Sequence, residues 1–119
     1  MNFEISYLNE SEHCKKKTTE GPYLETVLQF TLLDHVLDKD CDLWGIDKST
    51  MYLQHNSNST LEELPIQYRD LAQTLLALCS VTSVYFSAEQ NMIVLKKRHA
   101  ASWEELQHEA SLILLRFKI

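Results

Sequence analysis

Three short stretches of the chain have the arrangement of apolar and polar residues that is typical of a β-strand. The first stretch is residues 2–8, and one of its faces carries three apolar side chains, Phe3, Ile5 and Tyr7. The second stretch, residues 81–86, is rich in β-branched and aromatic residues, and the third, residues 92–97, is predicted to be its return strand. The five residues between them, 87–91, have the length of a hairpin loop, and Asn91 is a residue type that tolerates positive φ. The pattern therefore predicts a hairpin late in the chain.

Helical spacing precedes this hairpin. Thr60 and Glu63 have the spacing of a capping box, and Pro65 suits a first helical turn. We expect a helix from there to about Cys79. Its apolar stripe consists of Tyr68, Leu71, Ala72, Leu75 and Cys79.

A second capping box, Ser102 with Glu105, follows the hairpin and opens a helix that ends near Phe117. The residues predicted to face the core from this helix are Trp103, Leu106, Ala110, Ile113, Leu114 and Phe117.

The first half of the chain has a weaker pattern. Residues 9–22 are polar and end in a Gly-Pro turn signal, so we expect a loop. Residues 23–38 fit both a strand and a helix, and their length favours a helix. The apolar stripe of that helix would consist of Leu24, Val27, Leu28, Leu32 and Val36. Residues 38–48 form an acidic connection, and residues 49–55 alternate as a strand would.

These elements predict one α+β domain over residues 1–119. The expected fold is a two-layer sandwich, with helices packed on one face of an antiparallel sheet. The helix–hairpin–helix half spans residues 59–119, and the half whose fold is less defined by its pattern spans residues 1–58.

A net charge of −6 disfavours a nucleic-acid partner. Two short basic runs, at residues 15–17 and 96–99, are interpreted as solvated surface. The first residues lack the apolar core of a secretory signal, and no stretch has the length of a membrane span. The three cysteines do not form pairs at CxxC spacing, so reduced thiols and a cytoplasmic location are expected.

No residue pattern indicates catalysis, a bound cofactor or a metal. Cys41 lies in an acidic run that should raise the pKa of its thiol. The aspartates around it resemble the start of a calcium loop, but Leu43 and Ser49 occupy the positions where that loop requires Gly and Glu. Four residues could converge in a metal site without any spacing that predicts one: His13, Cys14, Cys41 and His55.

The stretch LAQTLLALCSVTSVYFSAEQNMIVLKK, residues 71–97, followed by SWEEL, residues 102–106, resembles the N-terminal domain of Nfu-type iron–sulfur cluster scaffold proteins. The matching residues are Leu76, Val81, Val84, Tyr85, Phe86, Ile93, Val94, Lys96, Trp103 and Leu106. The resemblance covers about half of the chain. Ser80 and Ser87 replace two glycines of the family pattern, and the cluster-binding CxxC domain is absent. The resemblance therefore implies a role in iron–sulfur cluster assembly through partner contacts, and no cluster ligand.

We accordingly expect a non-catalytic protein-interaction or scaffold domain that binds a protein, is a monomer or a weak homodimer, and contacts neither nucleic acid nor membrane. The residues expected to bind the partner are Tyr85, Glu89 and Asn91. The alternative is a small-molecule-sensing or regulatory module on a ferredoxin-like sheet. A small enzyme that uses His and Cys from the first half ranks last, because no nucleophile–base pair is visible.

Overall fold

The computed structural model describes residues 1–9, 26–48, 60–98 and 100–117. Within these ranges, five strands form one antiparallel sheet: β1 (Phe3–Asn9), β2 (Thr26–Leu32), β3 (Trp44–Asp47), β4 (Val81–Ser87) and β5 (Met92–Lys97). Two α-helices in the same ranges accompany it: α1 (Ile66–Leu76) and α2 (Trp103–Arg116). The architecture is the predicted α+β sandwich.

The strand order across the sheet is β1-β2-β5-β4-β3. The late hairpin of β4 and β5 is thus inserted between two strands from the first half of the chain. Leu28 of β2 lies opposite Leu95 of β5, and Trp44 of β3 lies opposite Phe86 of β4. The element order βββαββα differs from the βαββαβ order of a ferredoxin-like fold.

One core fills the space between the sheet and the helices. The buried strand residues come from alternate positions, so they share one face of the sheet; they include Leu28, Phe30, Val84, Phe86, Ile93 and Leu95. The buried helix residues are Tyr68, Leu71, Ala72 and Leu75 of α1, and Leu106, Ala110 and Leu114 of α2. A bulge between Val81 and Ser83 lets Val81 join this core although it is an odd number of residues from Val84.

In the second half of the chain, the capping and turn residues predicted from the sequence have the expected roles at α2 and at the β4–β5 turn. The hydroxyl of Ser102 accepts a hydrogen bond from the backbone N–H of Glu105 at 3.4 Å and so caps α2. Asn91 has φ of 57° and closes the turn between β4 and β5. Strands β1, β4 and β5 lie where the residue patterns predict them.

Four sequence predictions need correction. The helix expected over residues 23–38 is wrong, because β2 occupies Thr26–Leu32 with pairing to strands on both sides. The acidic connection contains β3. Thr60 makes no side-chain cap; it precedes a 3₁₀ turn, Leu61–Glu63, and α1 begins only after Pro65.

The fourth correction concerns Cys79, which was expected on the buried stripe. Helix α1 ends at Leu76, three residues earlier, and Cys79 is exposed. The strand predicted over residues 49–55 and most of the loop predicted over residues 9–22 lie outside the described residues.

Candidate functional site

The segment of residues 33–43, between β2 and β3, is fastened to the turn between β4 and β5. The side-chain amide of Asn91 donates to the carbonyl oxygens of Leu32, at 3.1 Å, and His35, at 2.8 Å. Its carbonyl oxygen accepts the backbone N–H of Leu37 at 2.8 Å. One side chain thus holds the last residue of β2 and two points of the segment.

Tyr68 of α1 holds the same segment from the helix layer. Its ring is buried, and its hydroxyl lies 2.8 Å from Nε2 of His35 and accepts the backbone N–H of Asp38 at 3.2 Å. Burial raises the pKa of the Tyr68 phenol, so its hydroxyl is neutral at physiological pH. The pair is a structural contact between α1 and the segment.

Cys41 lies under this segment and is fully buried. Its thiol donates to the carbonyl oxygen of Asp38 at 2.8 Å. Burial, and then the negative charge of Asp38, raise the pKa of Cys41 to about 11. A thiol that stays protonated and has no access to solvent is a poor nucleophile, which agrees with the effect expected from the acidic run.

The end of the segment is fixed by Asp42. One oxygen of its carboxylate accepts the backbone N–H groups of Ala88, at 2.8 Å, and Glu89, at 3.1 Å. On the other side of Leu43, the indole N–H of Trp44 donates to the carbonyl oxygen of Thr60 at 2.8 Å, and the Trp44 ring is buried against Phe86. Leu43 is therefore held between two anchored residues.

Leu43 has an unusual backbone conformation for its residue type. Its φ is 59°, in the left-handed region where a Cβ atom is sterically disfavoured. Its side chain is 82% exposed, so no packing in the described part of the protein compensates for the strained backbone.

Other apolar side chains on the segment also face solvent. Leu33 is 59% exposed and Val36 is 78% exposed. Acidic residues surround them: the segment contains four aspartates and one lysine, and Glu89 of the adjoining turn is also exposed. We call the surface formed by residues 33–43 and the turn of residues 87–91 the hairpin end. It combines exposed apolar groups with negative charge on a backbone that is held by hydrogen bonds.

Two of the three residues predicted to bind a partner lie together at the hairpin end. Glu89 is exposed, whereas the side chain of Asn91 is engaged by the three bonds described above. Tyr85 lies instead on the sheet face opposite the helices, where its ring covers Gly45 and the Lys96 ammonium lies 5.4 Å from the ring centroid. Partner binding by these residues stays a prediction.

Sequence reasoning missed the three exposed apolar residues of the hairpin end. A signal was present, since Leu33, Val36 and Leu43 are apolar residues interspersed with aspartates. The helix predicted over residues 23–38 assigned Val36 to a buried stripe, and the positive φ of Leu43 has no sequence mark comparable to a glycine.

Other sites offer less to a ligand. Within the described ranges, no group of three His, Cys, Asp or Glu side chains is placed to hold a metal ion. His13, Cys14 and His55 lie outside those ranges. A shallow, open depression runs along the polar side of α2, lined by Glu104, Gln107, His108 and Ser111.

None of the helices described is both long enough and apolar enough to cross a membrane. No protein-family model, curated protein or solved structure matches the chain, so the resemblance to the Nfu N-terminal domain stays a prediction.

Proposed function

We propose that this chain is a non-catalytic protein-interaction domain that docks its partner at the hairpin end. The observation that carries the proposal is Leu43, which combines positive φ with an 82% exposed side chain. Stability alone would favour Asn or Gly at such a position, because both adopt positive φ more readily than Leu does. A strained backbone that presents an apolar side chain to solvent is accounted for by a contact with another molecule.

The backbone around Leu43 is preorganised by hydrogen bonds, which favours binding. Asn91 and Tyr68 bind the segment from the turn and from α1, and Asp42, within the segment, binds the backbone of the same turn. A held segment loses little conformational entropy when a partner docks, so more of the contact energy appears as affinity. Exposed apolar side chains on such a surface are typical of protein interaction sites.

The charge of the surface indicates the kind of partner. Four aspartates against a single lysine leave the segment strongly negative, and Leu33, Val36 and Leu43 add apolar contact area. The fitting partner is a protein segment that carries apolar side chains flanked by Lys or Arg. Charge complementarity of this kind accelerates association and weakens as salt screens it.

The finer parts of the proposal depend on the partner. A scaffold role in iron–sulfur cluster assembly follows only from the sequence resemblance in residues 71–106. No contact or site among the described residues bears on that role. A reducing, cytoplasm-like compartment is supported by the unpaired thiols of Cys41 and Cys79.

The test begins by identifying the partner. A photoreactive amino acid in place of Val36, in cells of the protein's own source, should crosslink to a specific protein, which is then purified. Its affinity is measured by calorimetry for the wild type and for Leu43→Asn, which keeps the backbone conformation and removes the apolar side chain. We expect Leu43→Asn to weaken binding at least about tenfold, equivalent to about 1.4 kcal/mol.

Leu112→Gln is the matched control, since Leu112 is an exposed leucine on α2 outside the hairpin end. This variant should bind the partner as tightly as the wild type does. The affinity of the partner for the wild-type domain should fall as the salt concentration is raised. Equal affinity of the wild type and Leu43→Asn would refute docking at the hairpin end.

A further inference from the structure

Strand β1 lies at the outer edge of the sheet. Among the described strands its only neighbour is β2, and none of them pairs with its outer side. Edge strands are commonly protected from pairing by short length, Lys, Pro or a bulge. Strand β1 is seven residues long, keeps an uninterrupted register with β2, and contains neither Lys nor Pro. The opposite edge is protected differently, because β3 has only four residues.

A hydrogen bond just outside the paired ends of β1 and β2 shows which residues of β1 direct their backbone groups toward β2. The backbone N–H of Leu33 donates to the carbonyl oxygen of Asn2 at 2.9 Å. In an antiparallel pair, successive residues of a strand direct their N–H and C=O groups alternately toward and away from the neighbour. Glu4 and Ser6, which follow Asn2 in phase, therefore bond toward β2. Residues 3, 5 and 7 direct their backbone groups toward the outer edge.

The side chains of these same residues extend the apolar face of the sheet to that edge. Phe3 packs edge-on against the buried ring of Phe30, with ring centroids 5.0 Å apart. Ile5 is 36% exposed and Tyr7 is 45% exposed, although both lie on the face that carries the helices. The strand thus offers outward backbone groups and incompletely buried apolar side chains at the same positions.

We propose that β1 pairs antiparallel with β1 of a second copy of this chain, with the two-fold axis at Ile5. Phe3 of each copy then lies opposite Tyr7 of the other, and Ile5 lies opposite its own counterpart. All these residues direct their backbone groups outward, so each facing pair exchanges both of its hydrogen bonds. The two sheets become one continuous sheet across the axis.

The strand is self-complementary in this register. Glu4 is the only charged residue of β1. With the axis at Ile5, Glu4 lies opposite Ser6 of the other copy, whereas moving the axis to Glu4 would place the two Glu4 carboxylates directly opposite each other. Like charges in directly opposite positions are destabilising, and aromatic cross-strand pairs such as Phe3 with Tyr7 contribute about 0.2–1 kcal/mol each. Both effects favour the second copy, in this register, as the occupant of the edge.

A mixed-disulfide experiment tests the register. Two variants, Glu4→Cys and Ser6→Cys, are made in a chain in which Cys14 and Cys79 are replaced by Ser. In the proposed register these positions form a non-hydrogen-bonded pair with Cα atoms about 4.5 Å apart, which is within disulfide range. Mixing the two variants under mild oxidation should give a crosslinked heterodimer. Neither variant alone should crosslink efficiently, because its own two thiols are then diagonal neighbours with Cα atoms about 7–8 Å apart.

An edge-blocking variant tests the dimer independently. Ile5→Pro removes an outward N–H and leaves the bonds to β2 in place, and proline is tolerated on an edge strand in this orientation. Sedimentation equilibrium should show a concentration-dependent dimer for the wild type and for Ile5→Val, and a monomer of about 13.9 kDa for Ile5→Pro with an unchanged circular dichroism spectrum.

A wild type that stays monomeric at all concentrations overturns the proposal. A dimer that persists in Ile5→Pro, or that fails to crosslink the mixed cysteine variants, also overturns it, because it would use another surface. If Ile5→Pro does not fold, the crosslinking experiment alone decides. Crosslinking and sedimentation need no docking partner, so their results test the dimer independently of partner binding at the hairpin end.

Discussion

The side-chain amide of Asn91 donates a 2.8 Å hydrogen bond to the carbonyl oxygen of His35, which lies 56 positions earlier in the chain. This bond and its two companions join the turn of the late hairpin to the end of β2 and to the segment that follows it. Asn91 therefore serves two purposes, since its positive φ closes the turn and its side chain organises the hairpin end.

Replacing Asn91 by Gly separates these purposes. Gly keeps the positive φ of 57° and removes the three side-chain bonds. At about 1 kcal/mol for each bond, we expect the free energy of unfolding in urea to fall by about 2–3 kcal/mol. Gln90→Ala, in the same turn, should change it by less than about 0.5 kcal/mol. A loss for Asn91→Gly no larger than that of the control would show that the side chain does not hold the segment.

Leu43→Asn should make the protein more stable. Asn accepts a φ of 59° more readily than Leu, and the exposed leucine side chain contributes little burial. We expect a gain of up to about 1 kcal/mol, seen as a rise in Tm of about 4 °C in calorimetry. A lower Tm would indicate that Leu43 contributes packing to the free protein. Together with the weaker binding expected above, a higher Tm would show stability being sacrificed for a contact.

Gly45→Ala should be destabilising because of Tyr85. A Cβ atom on Gly45 would lie 2.1 Å from Cδ1 of the Tyr85 ring, far inside contact distance. We expect a loss of about 1–3 kcal/mol, as for other overpacked positions. The same change in a Tyr85→Ala background should cost less than half as much, and a double-mutant cycle by urea unfolding measures the difference. Equal costs in both backgrounds would mean that the ring is not the obstacle.

Stability should fall in alkaline solution in a way that depends on Cys41. The pKa of this thiol is raised from 9.0 to about 11, so between these values the unfolded chain releases a proton that the native protein retains. Raising the pH then favours unfolding, and the contribution of Cys41 is intact below pH 9 and is lost as the pH approaches 11. The expected loss is about 2–3 kcal/mol.

Cys41→Ala supplies the comparison. Its free energy of unfolding should be lower than that of the wild type at pH 8, because a buried side chain is truncated, and should decline less between pH 9 and pH 11. Parallel declines for the two proteins, measured by urea unfolding at each pH, would contradict a raised pKa at Cys41.

The parts of the fold that sequence predicts are those that short-range chemistry determines. Ser102 caps α2 through a residue three positions away, and Asn91 closes a turn of a few residues. Strands β4 and β5 pair with each other across a short turn of the same hairpin. In these cases the deciding interactions lie within a short window of the chain.

Strand β2 shows where such reasoning fails. Leu28 and Leu32 are four residues apart, as on a helix, yet Val27, Leu28, Phe30 and Leu32 are all buried because the strand lies between β1 and β5. Pairing with distant strands outweighs the local pattern, which is compatible with both structures. The hairpin end depends on the same kind of distant contact, since Asp42, next to Leu43, accepts the backbone N–H of Ala88 from the late hairpin.

The insertion of the β4–β5 hairpin between β2 and β3 has a consequence for how the domain can be divided. Each half of the chain supplies strands whose missing neighbours come only from the other half, so neither half expressed alone has a complete sheet. Halves that are expressed separately should remain largely unfolded, and they should regain structure when mixed because each supplies the strand neighbours that the other lacks. A truncation that removes either half therefore leaves strands of the other half without a neighbour in the sheet.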